Sequence, residues 1–212
     1  MTTPTVLPAL VWDMGGIMYR YFTEVLLEQA AENGWPIAGM PLGPTGAVED
    51  PEYDAMNRGE IDEPGYLAVI RQRFAAAGID VDPMTAIHWP DQSRPETWAV
   101  IRAAHAAGHP QGLLTNDASK WLGASWWETW EPARWFDHLI DVEQVGVRKP
   151  APEPYLAAAA ALELAPVDCV FIDDMVVNCE GAEAVGMSSH HVDIRDVAGS
   201  MERLAKRLDL DV

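Results

Sequence analysis

The sequence predicts an α/β fold, in which a doubly wound parallel sheet carries an inserted α-helical domain. Two observations lead to this prediction. Short apolar runs alternate with segments of helical periodicity through most of the chain, and one early stretch has helical patterns without a convincing strand. Because strands that alternate with helices of this length form right-handed βαβ units, the helices are expected on both faces of the sheet.

The individual elements follow from the apolar runs and from the residues that end them. The first strand stops abruptly at Asp13, and the clearest strand stops at Asp173. The helix that begins at Pro95 has Gly108 just past its end, which is the usual asymmetry of helix termini. Pro166 closes the alanine-rich helix before it. The predicted strands are residues 6–12, 112–115, 139–142, 167–172 and 189–192, and the predicted helices are 95–108, 152–164, 178–185 and 197–208.

The early stretch contains two apolar faces with helical spacing. One face includes Phe22 and Leu26, and the other includes Leu67 and Phe74. A passage rich in proline and glycine, residues 36–51, lies between them without a clear period. The simplest interpretation is a small helical domain inserted after the first strand. Its predicted bounds are residues 19–84, which leaves residues 1–18 and 85–212 for the α/β core.

The charge balance excludes several classes of partner. The chain has 33 acidic and 14 basic residues, which gives a net charge of −19. Since phosphate-backbone binding relies on clustered Lys and Arg, neither nucleic acid nor an anionic membrane surface is expected as a partner. No apolar run approaches the ~20 residues that span a bilayer. Two cysteines and no export signal predict a reduced, cytoplasmic protein.

Polar residues stand at the carboxyl ends of three predicted strands, where open α/β sheets bind their ligands. They are Asp13, Thr115 with Asn116, and Asp173 with Asp174. Three carboxylates at one edge repel one another unless a cation lies among them. Magnesium suits such a site, because Mg²⁺ takes oxygen ligands and keeps several waters.

Lys149, in the loop after the third strand, supplies a further positive charge. Thr115 and backbone N–H groups can hold an anionic oxygen beside it. A carboxylate, a metal, a lysine and a hydroxyl around one anion-sized gap suit phosphoryl transfer through an aspartyl phosphate. Each residue also has a structural alternative: Asp13 as a turn or cap residue, Lys149 as a surface lysine, and Asp173 with Asp174 as a solvated turn.

Four motifs, in order along the chain, resemble those of the haloacid dehalogenase superfamily of hydrolases. They are LVWDMGGI at 10–17, GLLTN at 112–116, GVRKPAP at 146–152 and VFIDDMVVN at 170–178. The segment GAEAVGM at 181–187 matches the family's usual continuation, and RGEI at 58–61 is similar to its helical cap. The resemblance implies a Rossmann-like core with a helical cap. The subgroup that the chain is most similar to holds the phosphatase domain of soluble epoxide hydrolase.

The resemblance also implies a role for each motif residue. Asp13 is the implied nucleophile, and Thr115 holds the transferred group together with the backbone N–H of Asn116. Lys149 neutralises the nucleophile and the phosphoryl oxygens. Mg²⁺ is bound by Asp13, the Gly15 carbonyl and Asp174. Asp173 supports these ligands without binding the metal itself, or acts through a metal-bound water. The implied substrate-binding residues are Gly15, Gly16, Thr115, Asn116 and Lys149.

The chain departs from the family pattern at Gly15. Phosphatases of the family carry an aspartate there, which protonates the leaving oxygen, and losing such an acid commonly slows a reaction by ~10²–10⁴-fold. Three solutions remain: a substrate with a good leaving group, an acid from the cap, or chemistry that needs no proton, such as carbon–halogen cleavage. Dehalogenases of the family usually have tyrosine at this position and lack the acidic pair.

The acidic pair Asp173-Asp174 therefore favours a magnesium-dependent phosphatase that acts on a small phosphorylated metabolite. The alternatives are a 2-haloacid dehalogenase and a non-catalytic binding or regulatory protein. A cluster of tryptophans adds a separate question, since it suits core packing best, then a homodimer face, then substrate contact. The cluster consists of Trp121, Trp126, Trp127, Trp130 and Trp135.

Overall fold

The computed structural model describes residues 7–58, 60–82, 92–116 and 118–212. They divide into two compact units, an α/β unit (the chain up to Tyr19 and from Arg94 to Val212) and a helical unit (Arg20 to Ser93). The predicted first residue of the first strand, the predicted domain boundary at 84 and 85, and Gly59 of the RGEI motif lie outside the described residues. The interpretation of the helical unit as a cap stays a prediction.

The described residues of the α/β unit form a five-stranded parallel sheet of β1 (Ala9–Trp12), β2 (Gln111–Thr115), β3 (His138–Asp141), β4 (Cys169–Asp173) and β5 (Ser188–His191). The strand order is β3-β2-β1-β4-β5. β2 and β3 extend the sheet on one side of β1, and β4 and β5 extend it on the other side. Val11 pairs with Gly112 on one side and with Phe171 on the other. This is the doubly wound α/β sheet that the sequence predicts.

The helices cover both faces of this sheet. Alternate residues of a strand point to opposite faces, so Trp12 packs with α4 and α10, whereas Val11 packs with α8 and α9. Among the described residues, no helix is long and apolar enough to cross a membrane. The helices are α1 (Phe22–Asn33), α2 (Pro51–Asn57), α3 (Glu63–Ala76), α4 (Pro95–Ala107), α5 (Ala118–Leu122), α6 (Trp126–Thr129), α7 (Val142–Val145), α8 (Pro152–Ala161), α9 (Val176–Ala184) and α10 (Val197–Arg207).

Most predicted bounds differ from the observed ones by one or two residues; for example, the strand predicted at 189–192 is Ser188–His191, and the helix predicted at 178–185 is Val176–Ala184. Three of the errors have a clear local cause. The strand predicted from residue 167 begins at Cys169, because Pro166–Asp168 forms a 3₁₀ turn that leaves Val167 75% exposed. The helix predicted to reach residue 164 ends at Ala161, after which Glu163 adopts a left-handed φ of 56°. The strand predicted to end at Val142 stops one residue earlier, where α7 begins. Apolar residues alone therefore did not indicate where the backbone hydrogen bonding of these strands and helices begins and ends.

Four of the five tryptophans in the cluster pack against the core under α4, and the side chain of the fifth, Trp121, lies outside the described part of the structure. Trp126 is buried, and Trp127, Trp130 and Trp135 are half-buried against the same apolar cluster. The rings of Trp130 and Phe136 stack with centroids 6.0 Å apart. Core packing therefore accounts for Trp126, while the homodimer interpretation of the partly exposed rings stays a prediction.

The helical unit has an apolar core of its own. In its described part, Phe22 and Leu26 of α1 pack with Leu67 and Phe74 of α3, as the helical spacing predicts. The same core includes residues of the passage 36–51 that had no clear period, such as Ile37 and Leu42. A separate core allows this unit to hold its shape by its own packing.

Asp50 organises the loop that joins α1 to α2. Its buried carboxylate accepts hydrogen bonds from the Gly43 N–H (2.9 Å) and the Tyr66 hydroxyl (2.7 Å), and an ion pair from Arg73 (3.0 Å). Arg73 also donates to the carbonyl of Pro41 (2.8 Å). Burial alone would raise the pKa of Asp50, but the bonds from Gly43 and Tyr66 and the charge of Arg73 lower it below its usual value.

The two places where the chain passes between the units are held by backbone hydrogen bonds. On the α/β side, the N–H of Arg94 donates to the carbonyl of Met18 (2.9 Å). On the helical side, the N–H of Arg20 donates to the carbonyl of Gln92 (2.9 Å). The outgoing and returning segments are thus paired within each unit.

Replacing Asp50 with alanine is expected to destabilise the helical unit strongly. Asp50→Ala leaves the Tyr66 hydroxyl and the Gly43 N–H without their acceptor, at a cost of about 1–3 kcal/mol for each buried group, and it removes one of the ion pairs of the partly buried Arg73. Because the pKa of Asp50 is lowered, this stabilisation is present at neutral pH and is lost as the pH falls through the lowered pKa. Urea unfolding at pH 7 and at low pH measures both effects. Glu60→Ala, which breaks an exposed pair with Arg58, is the control and should change little.

Candidate active site

The carboxyl ends of three strands bring the predicted site residues to one edge of the sheet. Asp13 follows β1 directly, and its N–H donates to the carbonyl of Ile172 in β4 (2.9 Å). Thr115 ends β2 and Asp173 ends β4, and both strands are hydrogen-bonded to β1. The parallel sheet therefore places these side chains side by side, although 160 residues of sequence separate the first from the last.

Lys149 reaches this edge from the loop after α7, and its side chain is almost fully buried. Its Nζ donates to Asp13 Oδ1 (2.6 Å), to Asp173 Oδ2 (3.0 Å) and to the carbonyl of Leu114 (3.2 Å). Burial alone would lower the pKa of Lys149, but the charges of Asp13 and Asp173 outweigh it and hold the pKa above its usual value. The protonated ammonium therefore ties β1, β2 and β4 together at their ends.

Asp173 is fully buried, and both of its carboxylate oxygens accept hydrogen bonds. The N–H of Met175 donates to Oδ1 (2.7 Å), and the amide of Asn178 donates to both oxygens (3.2 and 3.0 Å). Asn178 thus orders the acidic loop from the first turns of α9. These bonds and the one from Lys149 fix the position and orientation of the Asp173 carboxyl group.

Asp174 completes a group of three carboxylates. One oxygen each from Asp13, Asp173 and Asp174 lies within 4.8 Å of the other two. The Oδ1 atom of Asp174 is buried and has no hydrogen-bond partner among the described residues. Burial, reinforced by repulsion from its neighbours, raises the pKa of Asp174 well above its usual value. Burial also raises the pKa of Asp13 to about 6, against the opposing charge of Lys149.

This set of groups fits a hard divalent cation. All of the available ligands are oxygens, and the buried, unpartnered oxygen of Asp174 requires a positive partner to remain ionised. The single charge of Lys149 balances only part of the charge on three carboxylates. The geometry therefore suits Mg²⁺, which the sequence predicts at Asp13, Gly15 and Asp174.

Thr115 and Asn116 shape the turn that follows β2. The Oγ1 atom of Thr115 accepts a hydrogen bond from the N–H of Ala118 (3.3 Å), and Oδ1 of Asn116 accepts one from the N–H of Lys149 (3.1 Å). Asp141, at the end of β3, accepts from both the hydroxyl and the N–H of Ser119. The turn is thus attached to the lysine loop on one side and to β3 on the other.

Gly15 and Gly16 form the turn after the candidate nucleophile. Gly16 has a φ of 71°, in the left-handed region that favours glycine, and its carbonyl accepts from Nε of the buried Arg94 (2.8 Å). The hydroxyl of Thr97 donates to the next carbonyl, that of Ile17 (2.8 Å). Gly15 is exposed, and a Cβ added there would meet no atom within 4 Å. The backbone is fixed here while space is left open at Gly15.

The sequence profile of the haloacid dehalogenase-like hydrolases matches residues 7–186, which is most of the chain. The chain belongs to this family. The family resemblance of the four motifs and the predicted α/β fold are confirmed. The narrower similarity to the phosphatase domain of soluble epoxide hydrolase stays a prediction.

Similar proteins carry more than one activity within this family. A phosphoglycolate phosphatase from Salmonella paratyphi A is 32% identical over 95 residues, which cover 45% of this chain and 37% of the relative. A HAD phosphatase from Thermococcus onnurineus has a TM-score of 0.58 at 18% identity, covering 95% of this chain and 98% of its own. The L-2-haloacid dehalogenase RSc1362 has a TM-score of 0.57 at 17% identity, covering 93% and 100%.

The sequence matches and the structural matches support different conclusions. The match to the curated phosphatases spans less than half of their length. The two solved structures are named for different activities, and at this identity they establish the shared fold alone. The hydrolase family is therefore established, whereas the choice between phosphatase and dehalogenase rests on the chain's own residues.

Two site-supporting residues of this HAD-like hydrolase were missed in the sequence. Asp141 ends β3, as the predicted site residues end their strands, but the sequence predicts a strand that continues to Val142. With the correct strand end, Asp141 would also be a candidate site residue. Arg94 was passed over because a buried arginine that binds a carbonyl 78 residues away has no local pattern.

The lysine loop of this HAD-like hydrolase rests on α9, and Gly181→Ala is expected to disturb it. A Cβ at Gly181 would lie 2.6 Å from the carbonyl oxygen of Pro150 and 2.9 Å from the Tyr155 hydroxyl. Although alanine is favoured in a helix by up to ~1 kcal/mol, such overlap typically costs ~1–3 kcal/mol. We expect lower stability in urea unfolding. Gly112→Ala is the control, because its Cβ would meet only side-chain ends at 3.4 Å; equal losses would contradict the packing argument.

Proposed function

We propose that this protein is a magnesium-dependent phosphatase that hydrolyses a small phosphorylated metabolite through an ester formed on Asp13. The observation that carries the proposal is the group of three carboxylates around Lys149, with one buried Asp174 oxygen lacking a hydrogen-bond donor. A dehalogenase reaction on a carboxylate nucleophile needs no such excess of negative charge. A cation site beside the nucleophile suits a substrate that is itself an anion with several negative charges.

The metal would be held by Asp13, Asp174 and the carbonyl of Gly15. When bound, Mg²⁺ supplies positive charge that offsets the charge of the phosphoryl group. Asp173 is engaged by Lys149, Met175 and Asn178, so it acts by holding the lysine and the acidic loop in place. Asp13, Asp174 and Gly15 would thus bind the metal, whereas Asp173 would hold the surrounding groups in position.

The remaining residues orient the nucleophile and the phosphoryl group. Lys149 fixes the carboxylate of Asp13 and keeps it ionised near neutral pH, because its ammonium opposes the rise in the pKa caused by burial. Thr115 and the backbone N–H of Asn116 stand at the end of the adjacent strand, where they would hold phosphoryl oxygens. Gly16 would allow close approach of the backbone to the same group.

The phosphatase relatives support this choice of substrate class. The curated relatives are named as phosphatases, one of them a phosphoglycolate phosphatase, and the solved relative from Thermococcus onnurineus is named as a HAD phosphatase. The helical unit, inserted between β1 and α4, is proposed as the cap that selects the substrate. A cytoplasmic location and a small-molecule partner belong to the same proposal.

A 2-haloacid dehalogenase is the second candidate function. The specific observation in its favour is Gly15, because a halide leaves without a proton and needs no acid at that position. The solved dehalogenase RSc1362 shows that the fold is compatible with this chemistry in a relative. Release of halide from a chloroacid without metal would support this candidate over the phosphatase. A non-catalytic protein would show neither activity.

Magnesium is expected to stabilise the folded protein through Asp174. A ligand at 100 times its Kd adds about 2.7 kcal/mol of stability, which is a shift of several degrees in Tm for a chain of this length. In Asp174→Asn, the metal-free protein should melt no lower than the wild type, because a repelling charge is removed, and the magnesium shift should be lost. Thermal melting with Mg²⁺ and with EDTA measures this. The matched control is Glu202→Gln, at an exposed position of α10. An unchanged shift in Asp174→Asn would contradict the assignment.

Hydrolysis of para-nitrophenyl phosphate is expected with Mg²⁺ and not with EDTA. Asp13→Asn should abolish turnover, because an amide cannot form the aspartyl phosphate, whereas Glu202→Gln should retain it. The release of para-nitrophenol, followed by absorbance, is the measurement. Turnover that persists in Asp13→Asn would exclude this residue as the nucleophile.

A further inference from the structure

Among the described residues at the strand ends, Lys149 and Asp173 are committed to other bonds, and Asp174 is assigned to the metal under the proposed function. We infer that the natural substrate is a phosphate compound whose leaving group departs as a stable anion, such as an acyl phosphate, an enol phosphate or an aryl phosphate. This inference rests on the proposed phosphatase function and narrows its substrate class. It is carried by the bonds of Lys149 and Asp173 and by the open space at Gly15.

Lys149 has no proton to give to a leaving group. Its ammonium has three N–H bonds, and the described residues supply three acceptors: Asp13 Oδ1, Asp173 Oδ2 and the carbonyl of Leu114. Transferring one of these protons would break a buried ion pair at the moment when negative charge increases nearby. Lys149 therefore serves as a fixed charge.

Three further described residues at this edge are also unsuited to donate. Both oxygens of Asp173 accept hydrogen bonds from protein donors, so neither is directed at a leaving group. Thr115 offers an aliphatic hydroxyl, which is far too weak an acid to protonate an alkoxide. Gly15 has no side chain, and the site where its Cβ would stand is surrounded by no atom within 4 Å. That space is available to the leaving group or to water.

The first chemical step then proceeds without proton transfer. A carboxylate oxygen of Asp13 forms a bond to phosphorus, the bond from phosphorus to the leaving oxygen breaks, and that oxygen departs with the electron pair. In the second step, water forms a bond to phosphorus and the bond to Asp13 breaks, which returns the electron pair to the carboxylate. The hydroxyl from water stays on the phosphate, and the other proton is taken by the phosphate or by the departed anion in solution.

The same open position affects the second step, because no side chain at Gly15 accepts a proton from the attacking water. The aspartyl phosphate should therefore accumulate when the first step is fast. Substrates with different good leaving groups would then share one kcat, set by hydrolysis of the common intermediate, while their kcat/KM values differ.

A series of phosphate compounds whose protonated leaving groups have increasing pKa values tests the inference. With Mg²⁺, acetyl phosphate and para-nitrophenyl phosphate should react with a kcat/KM on the order of 10²–10⁴-fold above that of a simple alkyl phosphate, the range that a missing acid leaves uncorrected. Mixing para-nitrophenyl phosphate with the enzyme should release a burst of about one nitrophenol per active site. Gly15→Asp should raise kcat/KM for the alkyl phosphate, and Gly15→Asn, of equal size but without an acidic proton, should not.

The outcomes separate this inference from the proposed function. If the wild type hydrolyses alkyl and aryl phosphates equally well, the phosphatase function stands and the substrate class is wrong, because an acid is supplied elsewhere. Tyr19 forms a β-bridge with Gly15, and its hydroxyl accepts a hydrogen bond from Trp130 Nε1 (3.1 Å). Loss of that alkyl activity in Tyr19→Phe would identify this hydroxyl as the acid and also overturn the inference. Equal gains from Gly15→Asp and Gly15→Asn would contradict the role assigned to the proton. Absence of metal-dependent hydrolysis for every phosphate would instead overturn the proposed function.

Discussion

The site depends on one buried ammonium group shared between two carboxylates. Lys149 contacts Asp13, directly after β1, and Asp173, at the end of β4, and it also binds a carbonyl near the end of β2. Removing a charge from such a buried set leaves the others uncompensated, so the positions of the three strand ends and of the lysine are mutually dependent. The excess negative charge that remains is what makes the edge suitable for a cation.

Much of the chain around this group serves to hold it in place. Asn178 and Met175 fix Asp173 from the start of α9, Asn116 fixes the backbone of Lys149, and Arg94 fixes the turn after Asp13. These supports come from elements on both faces of the sheet. Precise placement of the reacting groups is thus distributed over the α/β unit, as expected where a site must be preorganised before a substrate arrives.

The sequence was sufficient for the fold and for the residues at the strand ends, because both follow from simple rules. Alternating strands and helices determine a parallel sheet, and its carboxyl edge collects Asp13, Thr115 and Asp173 whatever the loops do. Other features depend on contacts between residues that are distant in the sequence or on the geometry of a local turn. Whether Val167 is in a strand depends on a proline-initiated turn. The partners of Asp50 are Gly43 of its own loop and Tyr66 and Arg73 of α3, and no local pattern connects that loop to that helix.

The paired crossings at Met18 and Arg94 and at Arg20 and Gln92 have an evolutionary consequence. The segments that lead into and out of the inserted unit are already hydrogen-bonded to each other. The packing of the sheet therefore does not depend on the length or sequence of the chain inserted between them. A different module can be exchanged at this position without rebuilding the chemistry at the strand ends. Under the proposed function, which assigns selectivity to the inserted unit and reactivity to the strand ends, the two properties can change independently within one polypeptide.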